Sequence, residues 1–193
     1  MKIYFDFDRT LFDTRTFLED IYKILNEYEI PISLFDEIRL KNKDNGFNLF
    51  SILESVKSIH PFNTAIYTDL ERLLETDRRY LYSDVEDTLK SLKRLNCRLY
   101  LLTKGNERFQ RAKISNTDIV KYFDDVIITN EHKGNLNIDY NAIFIDDSIE
   151  EIESILKNNP KKVIYINRYN KDKIKDNRFL SIKSLKELQD ILN

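Results

Sequence analysis

Two aspartates on alternate positions, Asp6 and Asp8, with Thr10 two further on, follow the short apolar run Ile3-Tyr4-Phe5. An apolar segment rich in β-branched and aromatic residues reads as a buried strand. Alternate residues on an extended backbone project to one side. The spacing therefore predicts that Asp6, Asp8 and Thr10 converge just past a strand terminus. Such a pocket combines negative charge with a hydroxyl and would favour a cation. An Asp-x-Asp pair arises about twice by chance in a chain this rich in aspartate, and a solvated turn explains a lone pair equally well. The weight falls on what else the chain brings to that point.

Two further polar clusters stand at the ends of strand-like runs. Thr103-Lys104-Gly105-Asn106 follows Arg98 to Leu102, and Asp146-Asp147-Ser148 follows Ala142 to Ile145. Val126 to Thr129 and Val163 to Ile166 also read as strands. Helical periodicity separates these runs: Val85, Leu89, Leu92 and Leu95 after a predicted Ser83-Asp84 cap, a helix from about Asn106 to Tyr122, Glu150 to Leu156, and a closing helix from Ile182 to Leu192. Only a short, mostly irregular crossover is predicted between Asn130 and Asn141. Apolar strands alternating with helices argue for an α/β, Rossmann-like parallel sheet flanked by helices on both faces. In such sheets ligands bind outside the carboxyl ends of the strands, which puts all three polar clusters on one edge.

Between the first strand and the rest, about Arg15 to Tyr82 reads as helical throughout, without convincing strands. Phe17, Ile21, Ile24, Leu25 and Tyr28 repeat at three- and four-residue steps before Pro31. Leu49, Ile52, Leu53, Val56 and Ile59 form a second stripe ending at His60-Pro61, and Ile66, Tyr67, Leu70, Leu73 and Leu74 a third. Lys41 to Gly46 is a polar break. The predicted organisation is a sheet domain of residues 1–13 and 83–193, with residues 14–82 inserted as an all-helical domain.

Composition narrows the alternatives. An apolar fraction of 41% over 193 residues is enough for a core, which excludes a disordered chain. Net charge is −2 with both signs interspersed, so no nucleic-acid surface is evident. The lone Cys97 lies in a strand-like run and reads as a buried structural thiol. His60 and His132 form no motif together. The N-terminus has no signal-peptide apolar region, and no apolar run approaches the ~18 residues of a membrane span. A soluble, cytoplasmic protein, monomer or weak homodimer, is the expectation.

Taken together, Asp6-Phe7-Asp8-Arg9-Thr10, then Thr103 ending Leu101-Leu102-Thr103, then Asp146-Asp147 ending Ile143-Phe144-Ile145 resemble the haloacid dehalogenase-like hydrolase superfamily, in the order of its motifs. The resemblance covers residues 1–13 and 83–193, and the helical insert takes the position of a cap. It implies a Mg²⁺-dependent phosphatase acting on a small phosphorylated metabolite. Asp6 would be the nucleophile. Asp8 would be the proton carrier, with its backbone carbonyl on the metal. Thr103, with Thr10, Lys104 and Gly105, would grip the phosphoryl group. Asp146 and Asp147 would complete the metal site begun by Asp6 and Asp8, Asp147 directly or through water. The third family motif is a single basic residue, for which Lys133 is the choice and Lys104 the competitor. Arg9 departs from the small or polar residues frequent at its position.

The resemblance leaves other readings open. A phosphotransferase would use the same groups with an alcohol as acceptor, and an idle metal- or phosphate-binding regulator would keep the fold without turnover. A dehalogenase shares the nucleophile, but that branch generally lacks an equivalent of Asp8. Arg72, Arg78, Arg79, Tyr22 and Tyr67 on the insert are candidate substrate contacts, with a solvated helix face or cap core the stronger reading for each.

Overall fold

The computed structural model describes residues 1–42, 47–75, 78–169 and 174–192, which leaves most of the polar break Lys41 to Gly46 outside the described residues. The chain divides into two compact units. One holds Met1–Asp13, Leu81–Lys104 and Ile119–Asn193, and the other Thr14–Tyr80 and Gly105–Asp118.

The first unit is built on a parallel sheet of six strands, β1 (Lys2–Phe5), β2 (Arg98–Lys104), β3 (Asp125–Thr129), β4 (Ile143–Asp146), β5 (Lys162–Ile166) and β6 (Leu180–Ile182), in the order β3-β2-β1-β4-β5-β6. Chain order runs one way from β1 to β3 and the other way from β4 to β6. Crossovers between parallel strands are right-handed. The crossover helices α5 (Val85–Arg94) and α7 (Ile149–Leu156) therefore cover opposite faces, and a crevice opens at the carboxyl ends of β1 and β4. Each face is dry. Tyr4, Phe144, Val163 and Tyr165 pack with Ile152 and Ile155 of α7 in one buried cluster, while Ile3, Phe5, Leu99, Leu101 and Ile145 are buried from the other side. Strands covered on both faces need near-continuous apolar runs, which is why they stand out in the sequence.

The second unit is helical. It contains α1 (Thr14–Glu27), α2 (Ile32–Lys41), α3 (Leu49–Ile59), α4 (Ala65–Glu75) and α6 (Glu107–Ser115). Phe17, Ile21, Leu25, Phe35, Leu53 and Leu70 are fully buried or nearly so, and the Phe17 ring meets Tyr80 edge-on at 5.2 Å. The polar residues proposed there as substrate contacts are already engaged within the unit: Tyr22 donates to Asp36, Tyr67 to Glu54, Arg72 to Asp69, and Arg79 pairs with buried Asp20. The side chain of Arg78 lies outside the described residues.

Three local expectations are corrected. Asp84 precedes α5 but makes no side-chain cap bond, because its carboxylate is taken by Arg168, Ser184 and Leu185. The helix after Asn106 ends at Ser115, and the left-handed Asp118 separates it from a 3₁₀ turn at Val120–Tyr122. The closing helix is shorter than its apolar spacing suggests: Ile182 pairs with Ile166 at the sheet edge. A capping box between Ser184 and Glu187 starts the helical stretch at Leu185, and α8 runs from Leu188 to Leu192. β3 and β4 lie three places apart in the sheet, a span of roughly 15 Å at the usual strand spacing. Among the described residues the crossover between them has only a 3₁₀ turn, Lys133–Asn135, as the short segment predicted.

Candidate active site

The first polar cluster is set by sheet register. Phe5 pairs with Ile145 and the Asp6 N–H donates to the Ile145 carbonyl at 2.9 Å, so Asp6 and Asp146 leave neighbouring strands side by side. Past Asp6 the backbone does not stay extended. The Phe7 carbonyl accepts from the amides of Thr10, Leu11 and Phe12, and the Arg9 amide donates to the Phe12 carbonyl at 2.7 Å. Phe7 stacks on Phe12 with ring centroids 5.0 Å apart. Arg9 sits in the left-handed region at φ 60°. Asp6, Asp8 and Thr10 are thus placed by a tight turn, which corrects the expectation of an extended run.

Lys133 reaches this point from the crossover between β3 and β4. Its Nζ lies 2.7 Å from Asp6 Oδ1 and 2.6 Å from Asp146 Oδ2, and all three side chains are buried. The turn that presents it is docked along one face of α7. Glu151 accepts from the Lys133 N–H at 2.8 Å and Ser154 Oγ from the Gly134 N–H at 2.7 Å, while Asn158, just past the helix, donates to the Gly134 carbonyl at 2.8 Å. A Cβ on Gly134 would stand 2.0 Å from the Ser154 carbonyl oxygen, so only glycine fits that approach. Glu151 and Ser154 were not singled out by sequence reasoning. Their i, i+3 spacing on α7 is visible, but nothing local says what they dock.

Lys104 goes elsewhere. Thr103 and Lys104 are consecutive on β2 and project to opposite faces. Thr103 is buried, and Lys104 Nζ lies 3.2 Å from Glu151 Oε1 and 3.4 Å from His132 Nδ1. Of the two lysines considered, only Lys133 is bonded to Asp6. Burial works against ionisation of Glu151, yet the Lys133 N–H, Lys104 and His132 hold its carboxyl below the usual range. Gly105 follows at φ +151°, where an added Cβ would crowd the Gln110 side chain at 2.9 Å.

Asp6, Asp146 and Asp147 each offer a carboxylate oxygen within 4.8 Å of the others. Asp8 is half-buried and its carboxylate is outside that group. Arg9 Nε pairs with Asp147 Oδ2 at 3.0 Å. That contact accounts for an arginine between Asp8 and Thr10. Three carboxylates thus face two cations. Burial pushes the Asp6 carboxyl up to about 7, with Asp146 and Asp8 adding to the rise against Lys133. Burial and the charge of Asp6 push Asp147 up to about 8 against the pull of Arg9. Burial alone would lower the Lys133 ammonium, but Asp146 and Asp6 raise it. Asp6 Oδ2 and Thr10 Oγ1 are buried without a hydrogen-bond partner among the described residues. A crowded all-oxygen set with one unsatisfied carboxylate oxygen suits a hard divalent cation, so these residues fit one.

The family model for haloacid dehalogenase-like hydrolases matches residues 3–166. The chain belongs to that family. No curated protein matches the hydrolase in sequence. Among solved structures, a haloacid dehalogenase-like hydrolase from Burkholderia xenovorans LB400 is similar with a TM-score of 0.81 at 16% identity, covering 98% of this chain and 95% of the other. The HAD-hydrolase YfnB of Bacillus subtilis, bound to magnesium, gives 0.69 at 15% identity over 100% and 98%. A HAD phosphatase from Thermococcus onnurineus gives 0.65 at 21% over 100% and 98%. Dehalogenases occur among the similar structures as well. At such identities the likeness is one of fold.

Proposed function

We propose that the hydrolase is a Mg²⁺-dependent phosphatase that cleaves a small phosphate monoester through an aspartyl-phosphate on Asp6. The observation that carries the reading is the pairing of Asp6 with Lys133 inside the Asp146–Asp147 cluster. A carboxylate attacking a phosphate dianion meets like charge, about 4 kcal/mol per pair of unit charges at 4 Å and an effective dielectric near 20. Positive charge must be in place before chemistry starts. Lys133 supplies one unit, held by Asp6 and Asp146 at its ammonium and by Glu151 at its backbone N–H.

Asp6, Asp146 and Asp147, with the backbone carbonyl of Asp8, would hold Mg²⁺. When bound it neutralises phosphoryl charge and fixes the phosphate against Asp6. A carboxylate oxygen of Asp6 attacks phosphorus, the bond to the leaving oxygen breaks, and Asp8 gives that oxygen its proton. Asp8 then takes a proton from water, whose oxygen attacks phosphorus. The Asp6–phosphorus bond breaks and inorganic phosphate leaves. Thr103, at the end of β2, and Thr10, whose buried hydroxyl has no partner among the described residues, would bind phosphoryl oxygens, together with backbone amides around Gly105. Lys104 keeps only an indirect part, through Glu151.

The helical residues 14–82 would serve as a lid that excludes water and selects the substrate. Attack on a carbon–halogen bond needs no cation, and three crowded carboxylates would hinder it, so the acidic cluster favours the phosphate reading over a dehalogenase. The test is hydrolysis of a panel of phosphate monoesters with and without Mg²⁺, alongside Asp6→Asn. Turnover only with Mg²⁺ and its loss in Asp6→Asn are expected. Metal-independent turnover, or full activity of the variant, would sink the proposal.

A further inference from the structure

Arg168, just past the end of β5, is buried apart from 7% of its side chain and bonds to two separate segments. Its Nε and Nη2 donate to the Thr10 carbonyl at 3.2 and 2.6 Å. Its Nη1 donates to both oxygens of Asp84 at 2.9 and 2.8 Å. The guanidinium stands 4.0 Å from the centroid of the Tyr82 ring, and the Tyr82 N–H in turn donates to the Leu11 carbonyl at 3.1 Å. Asp84 is fixed independently by Ser184 Oγ at 2.6 Å and the Leu185 N–H at 2.9 Å. The clamp therefore does not depend on the turn it holds.

The turn needs such a hold. Arg9 carries a Cβ in the left-handed region, which is unfavourable unless the surroundings over-determine it. Regular strand pairing stops short of the turn, because β1 ends at Phe5 and β4 separates it from β5. Isolated bridges of Phe12 to Asp8 and Leu81 and the turn's own hydrogen bonds hold its far side. The Thr10 carbonyl is left to Arg168. Arg168 spans β4 and grips the residue next to Arg9. Its planar fork allows one edge on a carbonyl and another nitrogen on a carboxylate, with a flat face left for an aromatic ring. A lysine ammonium offers none of that geometry.

We propose that Arg168 is a positioning residue for the turn that carries Asp8 and Thr10: by holding the Thr10 carbonyl it keeps Arg9 left-handed and Asp8 in place beside Asp6. Its effect on turnover rests on the phosphatase reading; its effect on the turn does not. Misplacement by about 1 Å can lower a rate about 100-fold.

The test uses the full chain with Mg²⁺ and para-nitrophenyl phosphate. Arg168→Ala should lower kcat about 100-fold while KM changes far less, and millimolar guanidinium should restore much of the loss. Arg168→Lys keeps a charge beside Asp84 and should fold even where the alanine variant does not, with a comparable drop in kcat. Arg178→Ala, which removes surface pairs with Glu153 and Asp176, should leave kcat in place. In both Arg168 variants hydrogen exchange should quicken in the peptide of residues 6–13 and stay unchanged in that of residues 149–156. A folded variant with wild-type exchange over residues 6–13, or a kcat loss in Arg168→Ala that guanidinium does not relieve, overturns the proposal. A wild-type protein inactive on every monoester would refute the phosphatase reading, while exchange over residues 6–13 would still decide the role of Arg168.

Discussion

Lys133 Nζ lies 2.7 Å from Asp6 Oδ1, with both side chains buried. Removing the ammonium in Lys133→Met leaves Asp6 facing Asp146 without a counter-charge between them. The Asp6 carboxyl, already pushed up to about 7 by burial, must rise further. As the proposed nucleophile Asp6 would have to be ionised, so on that reading the acid limb of the pH–rate profile should move to higher pH. Turnover should fall about 100- to 1,000-fold, as when one preorganised charge-stabilising donor is lost. Phosphomonoester hydrolysis across pH checks both. An unmoved acid limb with undiminished turnover would show that the pair is structural.

The crowded carboxylates predict a stability response to metal. A cation that binds the folded state alone stabilises it by about 2.7 kcal/mol at a concentration 100 times its Kd. Thermal melts should therefore shift upward with Mg²⁺. Asp146→Asn or Asp147→Asn should weaken that shift, and Asp147→Asn, which relieves repulsion within the cluster and leaves the Lys133–Asp146 pair intact, should also raise the melting temperature without metal. A metal-free melt lowered by Asp147→Asn would mean that its pairing with Arg9 outweighs the repulsion.

The elements that carry Asp6, Thr103 and Asp146 were legible because β1, β2 and β4 are covered on both faces. Burial on both faces leaves a continuous apolar run with its polar residues at the end. Lys133 was legible only by motif order, since no apolar periodicity marks its turn. Arg168, Asp84 and Glu151 were not legible as partners. Arg168 meets Asp84 across 84 positions and Thr10 across 158, separations at which spacing carries no information. Asp84 shows the failure most clearly. Its residue type and place fit a helix cap, and only the fold reveals that a guanidinium has taken its carboxylate. Arg9 looked anomalous for a related reason: its partner Asp147 stands on another strand end, although both lie in motifs that were read.

Gly134 links the docking of the crossover to the placement of Lys133 beside Asp6. A methyl group there would meet the Ser154 carbonyl oxygen at 2.0 Å. Backbone on both sides cannot yield as a long side chain would, so the 3₁₀ turn of Lys133–Asn135 must lift from α7. Gly134→Ala should lose about 1–3 kcal/mol of stability, and turnover should fall because Lys133 moves with the turn. Ser154→Ala removes the bond to the Gly134 N–H without the clash and should have a smaller effect on both. Chemical denaturation and steady-state rates separate the two variants. Equal losses would point to the hydrogen bond, and not the close approach, as the constraint.

Asp84 predicts how the sheet domain responds to acid. Burial would raise its carboxyl, but Arg168, Ser184 and the Leu185 N–H hold it below the ordinary carboxylate range. Because the folded state prefers the ionised form, the stabilisation is complete above the unfolded value of about 4 and is lost as pH falls through the lower folded value. Asp84→Ala leaves the Arg168 guanidinium buried without its carboxylate, a change that costs about 3–5 kcal/mol when a buried pair is broken. That loss should be full at pH 7 and shrink as pH drops below about 4, where the carboxylate of the unfolded wild-type chain takes up a proton before the folded one does. Urea denaturation of both proteins between pH 7 and pH 3 should show the two stability curves converging toward the acid end. Curves that stay parallel would mean that packing around Asp84, and not its charge, carries the stabilisation.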